Sequence, residues 1–193
     1  MADGRPGPNR SEAARQAILQ ATAAQFVERG WTHLSIEGIA EAAGVGKQTI
    51  YRWWATKSAI IADCLFERIL LPDAFAVPDT GDLRTDLRNW LADVLAQARD
   101  PQSLELFRSL ITVAAEDENV GRHLYDTVGG GESMLTARLD AAVAAGQLPA
   151  GSPVREIAEV FVGAAVMRFI FRAPIDDDLP DRLVQSILGP TPR

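Results

Sequence analysis

One cysteine, Cys64, is the only thiol in this 193-residue chain, so no internal disulfide can form. Its neighbours Ile60, Ile61, Leu65 and Phe66 place it inside an apolar helix, where a buried, inert thiol is expected. Histidine is almost as scarce. His33 and His123 lack the spacing of a metal site, and neither a metal nor another cofactor is expected. No Gly-x-Ser-x-Gly occurs. The segment Gly44-Val45-Gly46-Lys47-Gln48 has the look of a phosphate loop. However, Glu41 stands where that loop needs Gly, Gln48 where it needs Ser or Thr, and no strand precedes it. These absences argue against an enzyme. No apolar run reaches the roughly 18 residues needed to span a bilayer, so no membrane partner is expected. Residues 1–10 are polar and rich in Pro and Gly, without the apolar core of a signal peptide, and the chain is expected in the cytoplasm.

Lysine is the next scarcity. The Ala- and Arg-rich, Lys-poor composition is what a GC-rich genome produces, but it does not explain where the two lysines sit. Lys47 and Lys57 fall in one short segment. The net charge of −7 argues at first against nucleic acid. Its distribution reverses that: residues 1–57 carry seven basic and five acidic side chains, and the acidic surplus lies entirely beyond them. A mildly basic head on an acidic body suits a protein that touches phosphates at one end.

What the chain has is helix. Hydrophobic residues make up 47 %, and apolar positions recur at i, i+3 and i+4, with no convincing strand. A first helix is expected over about 11–28, capped by Ser11 and stopped by Gly30. Short helices follow over about 36–43, with Ser35 as cap, and over about 47–53. A fourth runs from about 57 to 71. Pro72 and Pro78 mark a linker. Further helices are expected over 83–99, 102–115 (after Asp100-Pro101), 119–128, 132–145, 153–172 and 180–188. The triple glycine 129–131 interrupts the series, since each costs roughly 1 kcal/mol inside a helix.

Two short helices around Gly44 have the form of a helix-turn-helix. Ile36, Ile39 and Ala40 offer an inner face on the first, and Val45, Ile50 and Trp54 on the second. Lys47, Gln48, Thr49, Tyr51, Arg52 and Trp53 are left to face outward or sideways, and exposed aromatics need a partner. Lys47, Gln48 and Thr49 are candidates for base edges, because Lys matches guanine acceptors and Gln matches adenine. Arg52 suits a base or a phosphate. The expected partner is double-stranded DNA.

Over roughly residues 11–60 this pattern resembles the TetR/AcrR family of bacterial transcriptional regulators. The resemblance rests on Phe26, Gly30, Ser35, Ile39, Ala40, Gly44-Val45, Thr49-Ile50-Tyr51, Trp54 and Lys57. Two positions depart from the family pattern: Ala55 stands where a proline is usual, and Gly46 where a Ser or Thr commonly caps the recognition helix. The resemblance implies an all-α fold of about nine helices. Residues 1–10 would be a flexible arm, with Arg5 and Arg10 available to the minor groove. Residues 11–57 would be the three-helix DNA-binding domain, and 58–193 a helical domain for ligand binding and dimerisation. It implies that Tyr51 and Trp53 meet backbone phosphates, that Lys57 clamps a phosphate at a helix N-terminus, and that Ser35 does the same from the preceding helix.

For the body, the resemblance implies a homodimer and a small-molecule effector. Trp90, Val94, Phe107, Ile111 and Met134 are apolar residues suited to a cavity, with His123 and Arg168 as polar groups to orient a ligand. The helix over 153–172 is apolar too widely for one neighbour. Phe161, Ala165 and Phe169, with Leu183 and Ile187 from the last helix, are the expected dimer interface. The expected activity is repression at a pseudo-palindromic operator, relieved by the ligand. The alternative is a DNA-binding regulator whose body serves protein partners.

Overall fold

The structure is a computed structural model that describes residues 8–71, 76–130 and 133–189, with the side chains of 8–11 outside the description. Among the described residues it holds ten α-helices and no strand. They are α1 (Pro8–His33), α2 (Ile36–Ala42), α3 (Lys47–Tyr51), α4 (Lys57–Phe66), α5 (Leu83–Ala96), α6 (Pro101–Glu116), α7 (Glu118–Val128), α8 (Met134–Ala144), α9 (Val154–Phe171) and α10 (Leu179–Leu188). Helix α1 already runs from Pro8, so Ser11 lies inside it rather than capping it. Proline is at home in a first turn, where its missing N–H leaves no bond unmade. The expected arm, with Arg5, lies outside the described residues up to residue 7, as does the side chain of Arg10. Gly131 is also outside them.

The chain forms two compact units, Met1–Pro72 with Ser109–His123, and Asp73–Arg108 with Leu124–Arg193. The boundary expected at 57/58 falls within the first unit, because α4 packs on α1. The core of that unit contains Ile18, Leu19, Phe26, Ile39, Ile50, Trp54, Ile60, Ile61 and Leu65, all buried. Helix α1 breaks at Gly30, whose φ of 71° suits glycine, and Trp31 then turns inward. Helix α4 ends earlier than the expected 71. Arg68 takes a left-handed φ of 56°, and the Ile69 and Leu70 amides return to the Cys64 carbonyl at 2.8 and 3.3 Å. This is a Schellman-type stop made without glycine. Cys64 is fully buried, its thiol donating to the Leu19 carbonyl at 3.5 Å. Burial pushes that thiol up to about 12, assisted by the nearby Asp63 and Glu67 carboxylates, so it is the inert thiol expected.

The second unit is built on a core that includes Leu87, Leu91, Leu95, Leu135, Leu139, Phe161, Ala165 and Phe169. One ion pair sits inside it. The Arg138 guanidinium donates to Asp86 at 2.7 Å, and the Thr80 hydroxyl donates to the same carboxylate at 2.6 Å. Burial pushes the Asp86 carboxyl up. Thr80 and Arg138 outweigh it and hold the group below the usual carboxylate range. The pair ties α5 to α8, and Thr80 adds the segment before α5 to the same carboxylate.

Candidate nucleic-acid interface

The first unit positions its DNA-facing candidates by holding two short helices rigidly. Helix α2 starts at Ser35, whose hydroxyl accepts from the Gly38 amide at 3.1 Å. It lies close against α1: the Gln25 side-chain amide donates to the Gly38 carbonyl at 2.7 Å. A Cβ on residue 38 would sit 2.8 Å from the Gln25 Oε1. Glycine at 38 is therefore a close-approach residue. The turn follows, with Gly44 at φ 65° and the Val45 amide returning to the Ala40 carbonyl at 3.0 Å. Helix α3 begins at Gly46 with no side-chain cap, in line with the departure noted at this position.

Ile50 and Trp54 anchor α3 from beneath. Ile50 is fully buried, and the Trp54 indole N–H donates to Asp63 at 2.9 Å. Lys47, Gln48, Tyr51, Arg52 and Trp53 stand exposed and Thr49 is half-buried, so the six candidates lie at the surface of one helix and its C-terminal turn. Tyr51 is 55 % exposed and Trp53 40 %, high values for large aromatics. Arg52 makes no ion pair with a described residue. Lys47 reaches Glu37 on α2 at 2.9 Å, which raises the lysine and lowers the carboxyl from their ordinary values. Both partners are exposed, so the pair costs little to exchange for a phosphate or a base.

Lys57, expected to clamp a phosphate, is held by contacts within the protein. Its ammonium donates to the Trp31 and Leu34 carbonyls, each at 3.1 Å, and lies 3.9 Å from the centre of the Trp31 ring. It closes off carbonyls at the end of α1 and before α2, and so fixes α4 to both. Sequence reasoning also missed Trp31 itself. Its amide donates to Ser109 at 3.2 Å and its indole to Glu116 at 2.9 Å, while Ser58 donates to Asp117 at 2.5 Å. Those partners are distant in sequence, and no local pattern signals them.

The residues expected to line a ligand cavity do not share one place. Ile111 and His123 belong to the first unit, where His123 meets Phe66 edge-on at 5.9 Å. Trp90 and Val94 are buried in the core of the second, Phe107 stacks on Phe169 at 4.8 Å, and Met134 is exposed. Arg168 does line a cavity of about 520 Å³ in the second unit.

The residues expected at a dimer interface are turned inward. Phe161, Ala165 and Phe169 are buried in the protomer's own core, with Leu183 and Ile187 packed against it. The exposed apolar residues of α9 are Val160, Met167, Ile170 and Phe171 on its other side. A helix that is apolar all round has two faces to place. Phe161 and Phe169, with Ala158 and Ala165 beside them, went to the inner face of this one.

A family model described as "Bacterial regulatory proteins, tetR family" matches residues 18–64. A second, "Tetracyclin repressor-like, C-terminal domain", matches residues 77–187. The chain belongs to the TetR family. Among relatives of this TetR-family regulator, the DNA-binding transcriptional repressor TetR of Mycobacteroides abscessus is 32 % identical over 183 residues. The alignment covers 90 % of this chain and 92 % of that one. An uncharacterized HTH-type transcriptional regulator of Bacillus subtilis, YdeS, is 39 % identical over 84 residues, and this match spans 44 % of the chain but only 40 % of YdeS. The solved structure of the TetR family transcription regulator SCO0332 superposes with a TM-score of 0.70 at 28 % identity, covering 93 % of this chain and 99 % of that one. The multidrug binding protein EbrR, solved in complex with proflavin, shares the fold: TM-score 0.66 at 19 % identity, over 90 % of this chain and 99 % of EbrR.

Proposed function

We propose that this TetR-family DNA-binding regulator is a homodimeric repressor, released from a pseudo-palindromic operator by a small molecule. The observation that carries the DNA-binding part is the exposed row Lys47, Gln48, Tyr51, Arg52 and Trp53 on a helix and its C-terminal turn, pinned by buried Ile50 and Trp54. In this reading Lys47, Gln48, Thr49 and Arg52 meet base edges. Tyr51 and Trp53 pack on phosphates, and the Ser35 end of α2 faces the backbone. Lys57 enters as a positioning residue: it sets the angle between α4 and the helix-turn-helix through the Trp31 and Leu34 carbonyls.

Dimerisation is assigned to the outer stripe of α9, residues 160, 163, 164, 167, 170 and 171, whose spacing repeats one helical face. Gly163 lies within it, and a Cβ there would meet nothing within 4 Å, so a second helix has room to approach closely. The effector-release part draws support from family membership and from the multidrug binding protein EbrR, which was solved in complex with proflavin. A ligand acts here by favouring a dimer whose recognition helices are wrongly spaced, and its leverage is its differential affinity for the two states.

The test is footprinting of the purified protein on DNA from upstream of its own and neighbouring coding regions. The expected result is protection of a pseudo-palindrome of about two helical turns. Weak, salt-erased, sequence-independent binding to all such fragments would count against the reading.

A further inference from the structure

The 520 Å³ cavity in the second unit has a chemistry of its own. Four arginines line it, Arg99, Arg108, Arg168 and Arg172, against a single carboxylate, Glu105. Arg99 is satisfied by Asp177 at 3.0 Å. The Arg108 Nε donates to the Phe169 carbonyl at 2.9 Å, which closes the end of α9 and holds the guanidinium in place. Arg168 donates to the Ala164 carbonyl at 2.8 Å, but its Nε is buried and has no hydrogen-bond partner. Arg172 is exposed, forms no ion pair with a described residue, and stands at the left-handed φ of 51° that ends α9. The rest of the lining includes Ala98, Leu104 and Ile175, which are apolar.

A guanidinium N–H out of water and without an acceptor costs free energy, and so does crowding several cations around one cavity. Both costs are relieved by an anion. Guanidinium groups match carboxylate and sulfonate oxygens with paired, charge-assisted bonds. The apolar wall suits a hydrocarbon or aromatic body, and the volume lies within the roughly 300–1,000 Å³ of small-molecule sites. We infer that this cavity binds an organic anion with a compact apolar body, its acid group held by Arg168 and Arg172 and its body on Ala98, Leu104 and Ile175. This deepens the effector reading above and rests on it.

The probe is 1-anilinonaphthalene-8-sulfonate, followed by its fluorescence, with uncharged Nile red as the comparator and decanoate as a competitor. Arg168→Ala is expected to weaken binding of the sulfonate about tenfold, the loss of one charge-assisted contact, and to leave Nile red binding as it was. Decanoate is expected to displace the sulfonate from the parent. Should Arg168→Ala not fold, the exposed Arg172→Ala carries the same expectation. Equal losses for both dyes, or no loss for the sulfonate in either variant, would overturn the inference. A decanoate-bound protein that still holds its operator would leave the cavity assignment standing and defeat the effector reading. Conversely, release by a cationic or neutral compound in the Arg168→Ala variant would leave the effector reading standing and place its site elsewhere.

Discussion

Lys57 has three ammonium protons, and two of them are spent on the Trp31 and Leu34 carbonyls. Its charge also lies over the Trp31 ring. Two charge-assisted bonds and a cation–π contact at a half-buried site are worth about 1–2 kcal/mol together after solvent screening. Lys57→Met is therefore expected to lower stability by about that amount in urea unfolding. A variant that unfolds like the parent, yet loses about one unit of salt slope in DNA binding, would return Lys57 to the phosphates. Gln48 is the contrasting case. Its side chain is exposed and makes no hydrogen bond to a described residue, so Gln48→Ala should leave stability unchanged. It should instead relax preference at one base pair, by roughly 1–3 kcal/mol in competition binding. Unaltered preference at every operator position would remove Gln48 from the base-reading set.

At the scale of elements, Gly44 shows how a turn positions a site. Nothing lies within 4 Å of a Cβ added there, so Gly44→Ala meets no clash and reports backbone conformation alone. The expected loss is about 1–2 kcal/mol from the left-handed φ, with weaker operator binding as α3 shifts. An alanine variant as stable as the parent would mean that the turn relaxes freely. The outer stripe of α9 gives a second prediction. Met167→Glu puts a charge on the exposed face and should leave circular dichroism intact while sedimentation shifts to monomer. Phe161→Glu puts the charge in the protomer core and should unfold the second unit. If Met167→Glu sediments like the parent, the stripe is not the interface. These elements also show what the sequence disclosed. Ser35, Gly44, Ile50 and Trp54 were legible because caps, turns and helical spacing are local. The Lys57 contacts, the Trp31 bonds to Ser109 and Glu116, and the choice of which α9 face turns inward depend on residues far apart in the chain. Apolar periodicity marks a helix as buried but does not say against what. For the same reason the expected cavity residues scattered, while the arginines that do meet lie on segments whose approach no spacing records.

Across the whole molecule, acidic groups outnumber basic ones, and their folded-state partners set how stability follows pH. Several carboxyls are held below their ordinary values. Asp82 is lowered by Thr85, Asp100 by Ser103, Asp117 by Ser58, and Asp176 by Arg182. Asp86 is the one inside a core, where burial alone would raise it and where Thr80 and Arg138 outweigh burial. A carboxyl whose folded value lies below its unfolded one stabilises the fold above the unfolded value of about 4. That contribution disappears as pH falls through the folded value. The melting temperature is therefore expected to be flat near neutrality and to fall below about pH 4 as these groups take up protons. Asp86→Asn separates the buried pair from the surface caps. It leaves the buried Arg138 charge with only the exposed Asp79 carboxylate at 3.4 Å, so about 3 kcal/mol should be lost at pH 7. The remaining stability should then change less between pH 5 and pH 3 than in the parent, because one of the groups that titrates on unfolding is gone. An Asp86→Asn protein with parental stability at pH 7 and an unchanged acid profile would show that the buried pair contributes nothing net, and that the exposed caps alone make the fold acid-sensitive.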